Sequence, residues 1–303
     1  MPQVDRYGMR NPVPLEFNTN EEFKHSPMDE RAMIILVSNG SAGVELNGET
    51  LSINAPCVLL LSFHDSIKML DNTRFAAKSF SFNPTFINSG LSFENLKKNE
   101  FSAIGDMHDR NMMNLFLFRD EYYDGVIDLP ADTYLRITEW LSIMGTEVYA
   151  QSDNRWTCRI RRYLLQTLYL LDDIFMDRKK VGGVKREKSP VDIVVEYIHT
   201  NYSNNIKLDS LCDMVYTNRT TLNRNFKAKT GKSIMDYLLC YRIKIACETL
   251  AQTNITISEI AEATGFKYDT YFIKQFSKKM GQSPKEYRYA MWDKNGKYKA
   301  YRE

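Results

Sequence analysis

The chain has 303 residues, a formal net charge of +2, and 43% hydrophobic and 12% aromatic residues. That length accommodates two domains with separate cores, and that composition excludes a disordered or fibrous chain. The near-neutral total conceals a split: residues 185–303 hold 21 Lys+Arg against 13 Asp+Glu, whereas residues 1–184 hold 19 against 25. A basic C-terminal segment joined to an acidic one suits a nucleic-acid-binding module attached to something else, although a basic surface can also be a plain solvated face. The five cysteines, Cys57, Cys158, Cys212, Cys240 and Cys247, are odd in number and scattered, as expected of a reduced, cytoplasmic chain. Residues 1–14 lack an apolar signal core and no run is long enough to cross a bilayer, so no membrane partner is expected.

Residues 30–85 read as short strands joined by tight turns. Ala32–Val37 is an apolar run followed by Asn39-Gly40. Val44 and Leu46 alternate with Glu45 and Asn47, and Asn47-Gly48 has the composition of a type I′ hairpin turn. Leu51 and Ile53 alternate with polar residues, Val58–Leu61 reads as a buried strand, and Ile67, Met69, Phe80 and Phe82 continue the series. A strand-rich region over 30–125 predicts a small β-barrel or sandwich. Phe63, Phe80, Phe82, Phe86 and Phe93 could line an apolar cavity in it, though such residues are more often simply core.

After Pro130 the period changes. Ile137, Leu141, Met144 and Val148, then Trp156, Ile160, Tyr163, Leu164, Thr167, Leu168 and Leu171, predict two amphipathic helices. Their stripes either pack on the strands or form a dimer seam. Arg155, Arg159, Arg161 and Arg162 read as a solvated helix face, with an interdomain or phosphate contact as the lesser reading. Asp177–Lys188 is charged, contains Gly182-Gly183 and has no periodic apolar face. It is the linker candidate, placed at 181–188 between a domain over 1–180 and one over 189–303.

The last third carries one pattern twice. Ile206, Leu208, Leu211, Cys212 and Val215 recur as Ile255, Ile257, Ile260, Ala261 and Thr264, at an offset of 49. Phe226, Gly231, Ser233 and Tyr237 recur as Phe276, Gly281, Ser283 and Tyr287, at an offset of 50. Each copy has the pattern of a helix-turn-helix, and the slip falls at the expected turn of the second, near Gly265. Thr256 with Glu259 forms a capping box there, and the recognition helix runs from about Tyr268 to Met280, anchored by Phe272 and Phe276. Tyr268, Asp269, Tyr271, Lys274, Gln275 and Lys278 are expected to face outward. Lys274 and Gln275 have the chemistry to read base edges, and Lys278 and Lys279 suit phosphates. In the first unit the cap position holds Lys207 and the turn lacks glycine, while Thr217 is a plausible N-cap for a recognition helix anchored by Leu222 and Phe226. Asn218, Arg219, Thr220, Asn223, Arg224 and Lys227 are expected outward; Arg suits guanine and Asn adenine. The helix joining the units, Ser233 to about Ala251, spans roughly 25 Å and could hold the two readers about one DNA turn apart.

Residues 189–288 resemble the DNA-binding domain of the AraC/XylS family of bacterial transcription regulators. The resemblance rests on Ile257-Ser-Glu-Ile-Ala261, Gly265-Phe266, Tyr271-Phe272, Phe276-Ser-Lys-Lys and Gly281-Gln-Ser-Pro284-Lys-Glu-Tyr-Arg288, with Phe226-Lys227, Thr230-Gly231 and Arg242-Ile-Lys-Ile-Ala246 before them. Cys212 and Lys207 depart from the family's usual Ala and Ser or Thr. The resemblance implies an α+β chain: an N-terminal cupin-like β-barrel with dimerisation helices, then an all-α domain with two helix-turn-helix units. It further implies a DNA-binding regulator, most often an activator, working on double-stranded DNA as a homodimer. RNA polymerase and a small-molecule effector would be its partners. No enzyme activity or cofactor is expected. His25, His64 and His108 are scattered without an H-x-H pair, His64-Asp65 reads as a loop pair, and no phosphate loop, zinc-protease or nucleophile-elbow motif occurs. The alternatives are a metal-dependent cupin enzyme fused to a DNA-binding domain and a regulator controlled only by a protein partner.

Overall fold

The computed structural model describes residues 15–25, 31–70, 75–88, 90–98, 104–120, 123–153, 155–178, 189–253 and 255–294. The chain is a mixed α+β protein of two compact units. Among the described residues, the first unit takes those within 15–150 and 163–178, and the second those within 151–162 and 189–294. The expected linker at 181–188 lies outside the described residues.

The first unit contains β1 (Leu15–Asn18), β2 (Lys24–His25), β3 (Ala32–Leu46), β4 (Glu49–Asn54), β5 (Cys57–Leu61), β6 (Ile67–Met69), β7 (Phe75–Phe82) and β8 (Val126–Asp128). Its helices are α1 (Phe93–Lys98), α2 (Ile104–Leu117), α3 (Ala131–Ala150) and the C-terminal part of α4 (Trp156–Arg178). All pairings are antiparallel and β3 organises them. Its first half lies between β7 and β5 in the order β1-β7-β3-β5-β8, and its second half lies between β4 and β6. Met33, Ile35 and Val37 share a core with Leu59, Leu61, Val44 and Ile53, while Ile34 and Leu36, on the opposite face, are buried as well. A strand covered on both faces is a continuous apolar run, not an alternating one.

Asn39-Gly40, which the composition suggests as a break between strands, lies inside β3, directly after a bulge at Ser38. The register with β7 shifts between Val37 and Asn39, and pairing then continues through Gly40. Asn47 and Gly48 both have positive φ, with Leu46 opposite Glu49, as a two-residue I′ hairpin requires. Helices α1 and α2 lie in the stretch expected to be strand-rich. Met112, Met113 and Phe116 of α2 are buried at helical spacing, and Phe116 meets the edge of Phe82. Phe80, Phe82 and Phe86 are fully buried. The α3 stripe of Ile137, Leu141, Met144 and Val148 is buried within this unit. There Gly145 lies against the Phe17 ring with no room for a Cβ, and the Tyr149 hydroxyl donates to the Phe17 carbonyl at 2.7 Å.

The second unit is helical: α5 (Pro190–Asn201), α6 (Leu208–Met214), α7 (Arg219–Thr230), α8 (Ile234–Gln252), α9 (Ile257–Ala263), α10 (Asp269–Met280) and α11 (Pro284–Lys294). It has two cores. One gathers Val194, Ile198, Leu211, Leu222 and Phe226; the other gathers Ile260, Ala261, Phe266, Phe272 and Phe276. The joining helix α8 serves both. Ile234, Leu238, Tyr241 and Ile245 enter the first core, and Leu239, Ile243, Ala246 and Leu250, displaced by five positions, enter the second. Two apolar stripes on one helix make it an internal strut, so the two helix-turn-helix units share their central element.

The arginine run at 155–162 is only in part a solvated face: Arg155 is exposed, Arg159 and Arg162 are half-buried, and the fourth arginine is enclosed. Arg161 is buried and its guanidinium donates to the Glu248 carboxylate of α8 at 2.9 Å. Burial opposes the charge on Arg161, but Glu248 together with Tyr202, Cys158 and Tyr241 outweighs it, so the guanidinium stays protonated. Cys158 places its thiol 3.6 Å from the Ala263 carbonyl, and Arg155 pairs with Glu262. Residues 151–162 are thereby part of the helical unit. Helical periodicity identifies an apolar stripe but cannot show that a charged residue beside it has a buried partner 87 positions away.

Candidate nucleic-acid interface

Local chemistry sets both helix-turn-helix units. In the second, the Thr256 side chain accepts from the Glu259 amide and the Glu259 carboxylate accepts from the Thr256 amide, completing the expected capping box. Gly265 has φ +86 and a Cβ there would lie 2.8 Å from the carbonyl oxygens of Tyr202 and Ser203. Only glycine fits that conformation at that approach. Arg242 holds the loop at residues 202–204 as well, donating to the Tyr202 and Asn204 carbonyls at 2.8 Å each and lying over the Phe266 ring. In the first unit Lys207 makes no side-chain cap bond, as expected. The turn is made by Tyr216, in the left-handed region at φ 49 and 97% exposed. The N-cap of α7 is Asn218, which accepts from the Thr221 amide, and not Thr217; Asn218 is one residue nearer the helix and reaches the orphan amide.

The helices α7 and α10 bury matching residues, Leu222 with Phe226 and Phe272 with Phe276, so the remaining positions fall into register at an offset of 50. Farthest from the buried pair, at 3.6 residues per turn, are Thr220, Arg224 and Ala228 on α7 and Thr270, Lys274 and Lys278 on α10. All six are exposed. Arg224, Lys227, Lys274 and Lys278 make no ion pair among the described residues, so each recognition helix presents two uncompensated cations. Thr270 is absent from the residues expected from sequence, although Thr220 maps onto it through the repeat. The exposed Asn225, which maps onto Gln275, is likewise absent from them.

Tyr268 and Tyr271 are more than half exposed, with Tyr268 as the N-cap of α10 and Tyr271 against Phe266. Asp269 opens α10 and is exposed, and Gln275 is half-buried. Arg219 is exposed but engaged: its guanidinium grips both oxygens of Asp209 on α6. Those bonds hold the Asp209 carboxyl below its ordinary range and raise Arg219. Asn223 is turned partly inward, its carboxamide oxygen accepting from the Ile234 amide at 3.3 Å.

Two further cations are engaged at equivalent positions. Lys229, in the last turn of α7, pairs with Asp192, the third residue of α5; Lys279, in the last turn of α10, pairs with Asp236, the third residue of α8, at 2.8 Å. Burial disfavours ionised Asp192, yet the bonds from Lys229 and Ser189 hold its carboxyl below the ordinary range. The repeated element is therefore a three-helix unit closed by a Lys–Asp pair, α5 to α7 and then α8 to α10. The shorter helix-turn-helix pattern read from sequence omits its first helix. Lys279, expected to suit a phosphate, is occupied in this way. Elsewhere, Asp65 beside His64 is buried and accepts from Asn47, the Ser62 amide and Arg119, a structural loop pair. Among the described residues no group of three His, Cys, Asp or Glu lies together as a metal-binding cluster. No helix there is long and apolar enough to cross a membrane.

A family model described as a helix-turn-helix domain matches residues 211–290. The chain is 36% identical over 106 residues to the bifunctional transcriptional activator/DNA repair enzyme AdaA of Bacillus subtilis, covering 34% of this chain and 50% of that one. It is 25% identical over 264 residues to the lactose operon transcription activator of Staphylococcus xylosus, covering 86% of this chain and 84% of that one. It is 33% identical over 103 residues to the transcriptional activator RhaS of Pectobacterium carotovorum, covering 34% of this chain and 37% of that one. The chain thus spans half or less of the AdaA and RhaS relatives and most of the lactose operon activator. The matched segment runs from Leu211 in α6 to Ala290 in α11 and contains both recognition helices. Over residues 211–290 the chain thus carries a DNA-binding domain of the AraC/XylS type.

Proposed function

We propose that this chain is a sequence-specific DNA-binding regulator of transcription that acts as an activator in the bacterial cytoplasm. The observation that carries this reading is the paired arrangement of Arg224 and Lys274. They stand at one equivalent position on two recognition helices, each opposite its helix's buried anchors and without an ion-pair partner among the described residues. Arg224, with Thr220 and Asn225, reads base edges in one major groove; Lys274, with Thr270 and Gln275, reads the next. Lys227 and Lys278 neutralise phosphates and supply the salt-sensitive part of the affinity. Asn218, Arg219 and Asn223 act mainly on the local structure of the first unit, and Tyr268, Asp269 and Tyr271 flank the second reader.

In the same reading the regulatory domain is a cupin-like barrel within 1–180, residues 151–162 excepted, and the DNA-binding domain covers 189–303 with 181–188 as the linker. A small effector acts there by binding one state of the regulator better than another. Homodimerisation uses the outer face of α3, where Leu135 is 67% exposed, because the inner stripe is already packed. RNA polymerase is the partner of the DNA-bound form, and the chain is not an enzyme.

The test is selection of genomic DNA fragments by the purified protein, followed by salt titration of the enriched sites. The expected result is a motif of two half-elements about one helical turn apart. Binding without sequence preference would refute the reading.

A further inference from the structure

The two recognition helices differ at one position for a traceable reason. On α7, Asn223 accepts a hydrogen bond from the backbone amide of Ile234, the first residue of α8. Fifty positions on, Ile234 corresponds to Pro284, the first residue of α11, and Asn223 corresponds to Ile273. Proline has no N–H, so the second unit has no amide for residue 273 to satisfy. The position is released from its structural task, and the chain places there a large aliphatic side chain that is 40% exposed. Neither capping nor core packing accounts for it, since Phe272 and Phe276 already anchor the helix.

Thr270 precedes Ile273 by three positions and Lys274 by four, so on the helix surface it adjoins both and joins them into one patch. That patch offers a methyl, a branched aliphatic group and a cation. In the major groove the complementary surface is a thymine C5-methyl beside a base-edge acceptor: apolar contact distinguishes thymine there, Lys274 meets the base edge and Lys278 the neighbouring phosphate. We infer that Ile273 is a specificity-determining residue by which α10 reads thymine methyl groups, so that the half-element under the second unit requires thymine where the first unit, with Asn223 withdrawn, makes no such demand. This rests on the DNA-binding reading above.

The full-length protein is used to enrich duplexes from a random-sequence pool. Each thymine of an enriched site is then replaced singly by deoxyuridine, which removes only the methyl. The expected result is at least one position, confined to one half-element, where methyl loss weakens binding about fourfold, the effect of exposing one buried methyl-sized group. Ile273→Ala should abolish that sensitivity while keeping its thermal midpoint. Equal sensitivity in both proteins, or none in the wild type, overturns the inference. So does a large fall in the midpoint of Ile273→Ala, which would make Ile273 a packing residue. Failure to enrich any duplex would instead remove the DNA-binding reading, and this inference with it.

Discussion

Replacing Glu248 by Gln should damage the helical unit more than any surface change of equal size. Arg161 and Glu248 each retain only 2% of their side-chain exposure and are joined at 2.9 Å. Removing one charge of a buried pair leaves the other without compensation, which costs about 3–5 kcal/mol. For a unit of this size the urea dependence is roughly 2 kcal/mol per molar, so the midpoint should fall by about 1.5–2.5 M. Trp156 and Trp292, both buried in this unit, report the transition by fluorescence once Trp140 of the first unit is replaced by Phe. Arg161→Met combined with Glu248→Leu should recover most of the loss, because buried pairs are commonly matched by apolar side chains of similar volume. A midpoint change below about 0.3 M for Glu248→Gln, or a double variant no better than the single one, would refute a buried, charge-compensated contact. The same reasoning predicts that residues 189–303 alone are less stable than 151–303, which retain Cys158 and Arg161.

Gly265→Val should disrupt the second helix-turn-helix, because its Cβ would meet two carbonyl oxygens at 2.8 Å; the check is operator affinity, which should drop with stability. Tyr216→Gly should do the reverse in the first unit, raising stability by about 0.5–1 kcal/mol, since the side chain is 97% exposed and its backbone is left-handed. An unchanged or lower midpoint would show that Tyr216 makes a contact that offsets its backbone cost. Burial raises the thiols of Cys57 and Cys247 to about 12. A raised folded pKa leaves their contribution intact below the unfolded value, near pH 9, and erodes stability as pH climbs toward 12. Both thiols should therefore resist iodoacetamide at pH ~8 until the protein unfolds, and rapid labelling of the native protein would contradict the assignment. On DNA, Lys278→Ala should lower the salt slope by about 0.9 with similar losses for all sequences. Arg224→Ala should weaken the specific site more than random DNA, and equal losses would deny it a base-reading role.

Much of the helical unit is legible because its determinants are local. The Thr256/Glu259 box, Gly265 and the phenylalanines spaced by four are consequences of capping, backbone freedom and helical pitch, and each stands within a few residues of what it controls. The same locality reveals the Asn47-Gly48 hairpin. It misleads at Asn39-Gly40, where a composition suited to a turn sits inside a strand, because pairing with β7 resumes at once after the Ser38 bulge. It fails at the arginine run, where a charge is neutralised from another helix.

The interface shows the same division at finer scale. Outward positions on α7 and α10 follow from the buried anchors, but whether an outward cation is available depends on what else reaches it. Arg219 and Lys229 on α7, like Lys279 on α10, resemble Arg224, Lys227 and Lys278 in chemistry and exposure. They differ in having Asp209, Asp192 and Asp236 within bonding distance. The repeat distinguishes two of these before any coordinates do: Lys229 and Lys279 are fifty apart, and the acids they meet each stand three residues after a serine, Ser189 or Ser233, that caps a helix. A lysine that recurs together with a capping acid is more economically explained as a clasp of the repeated unit than as a phosphate contact. By the same comparison Asn223 and Ile273, where the repeat breaks together with Ile234 and Pro284, mark the place at which the two units part from a shared scaffold and can acquire different ligands.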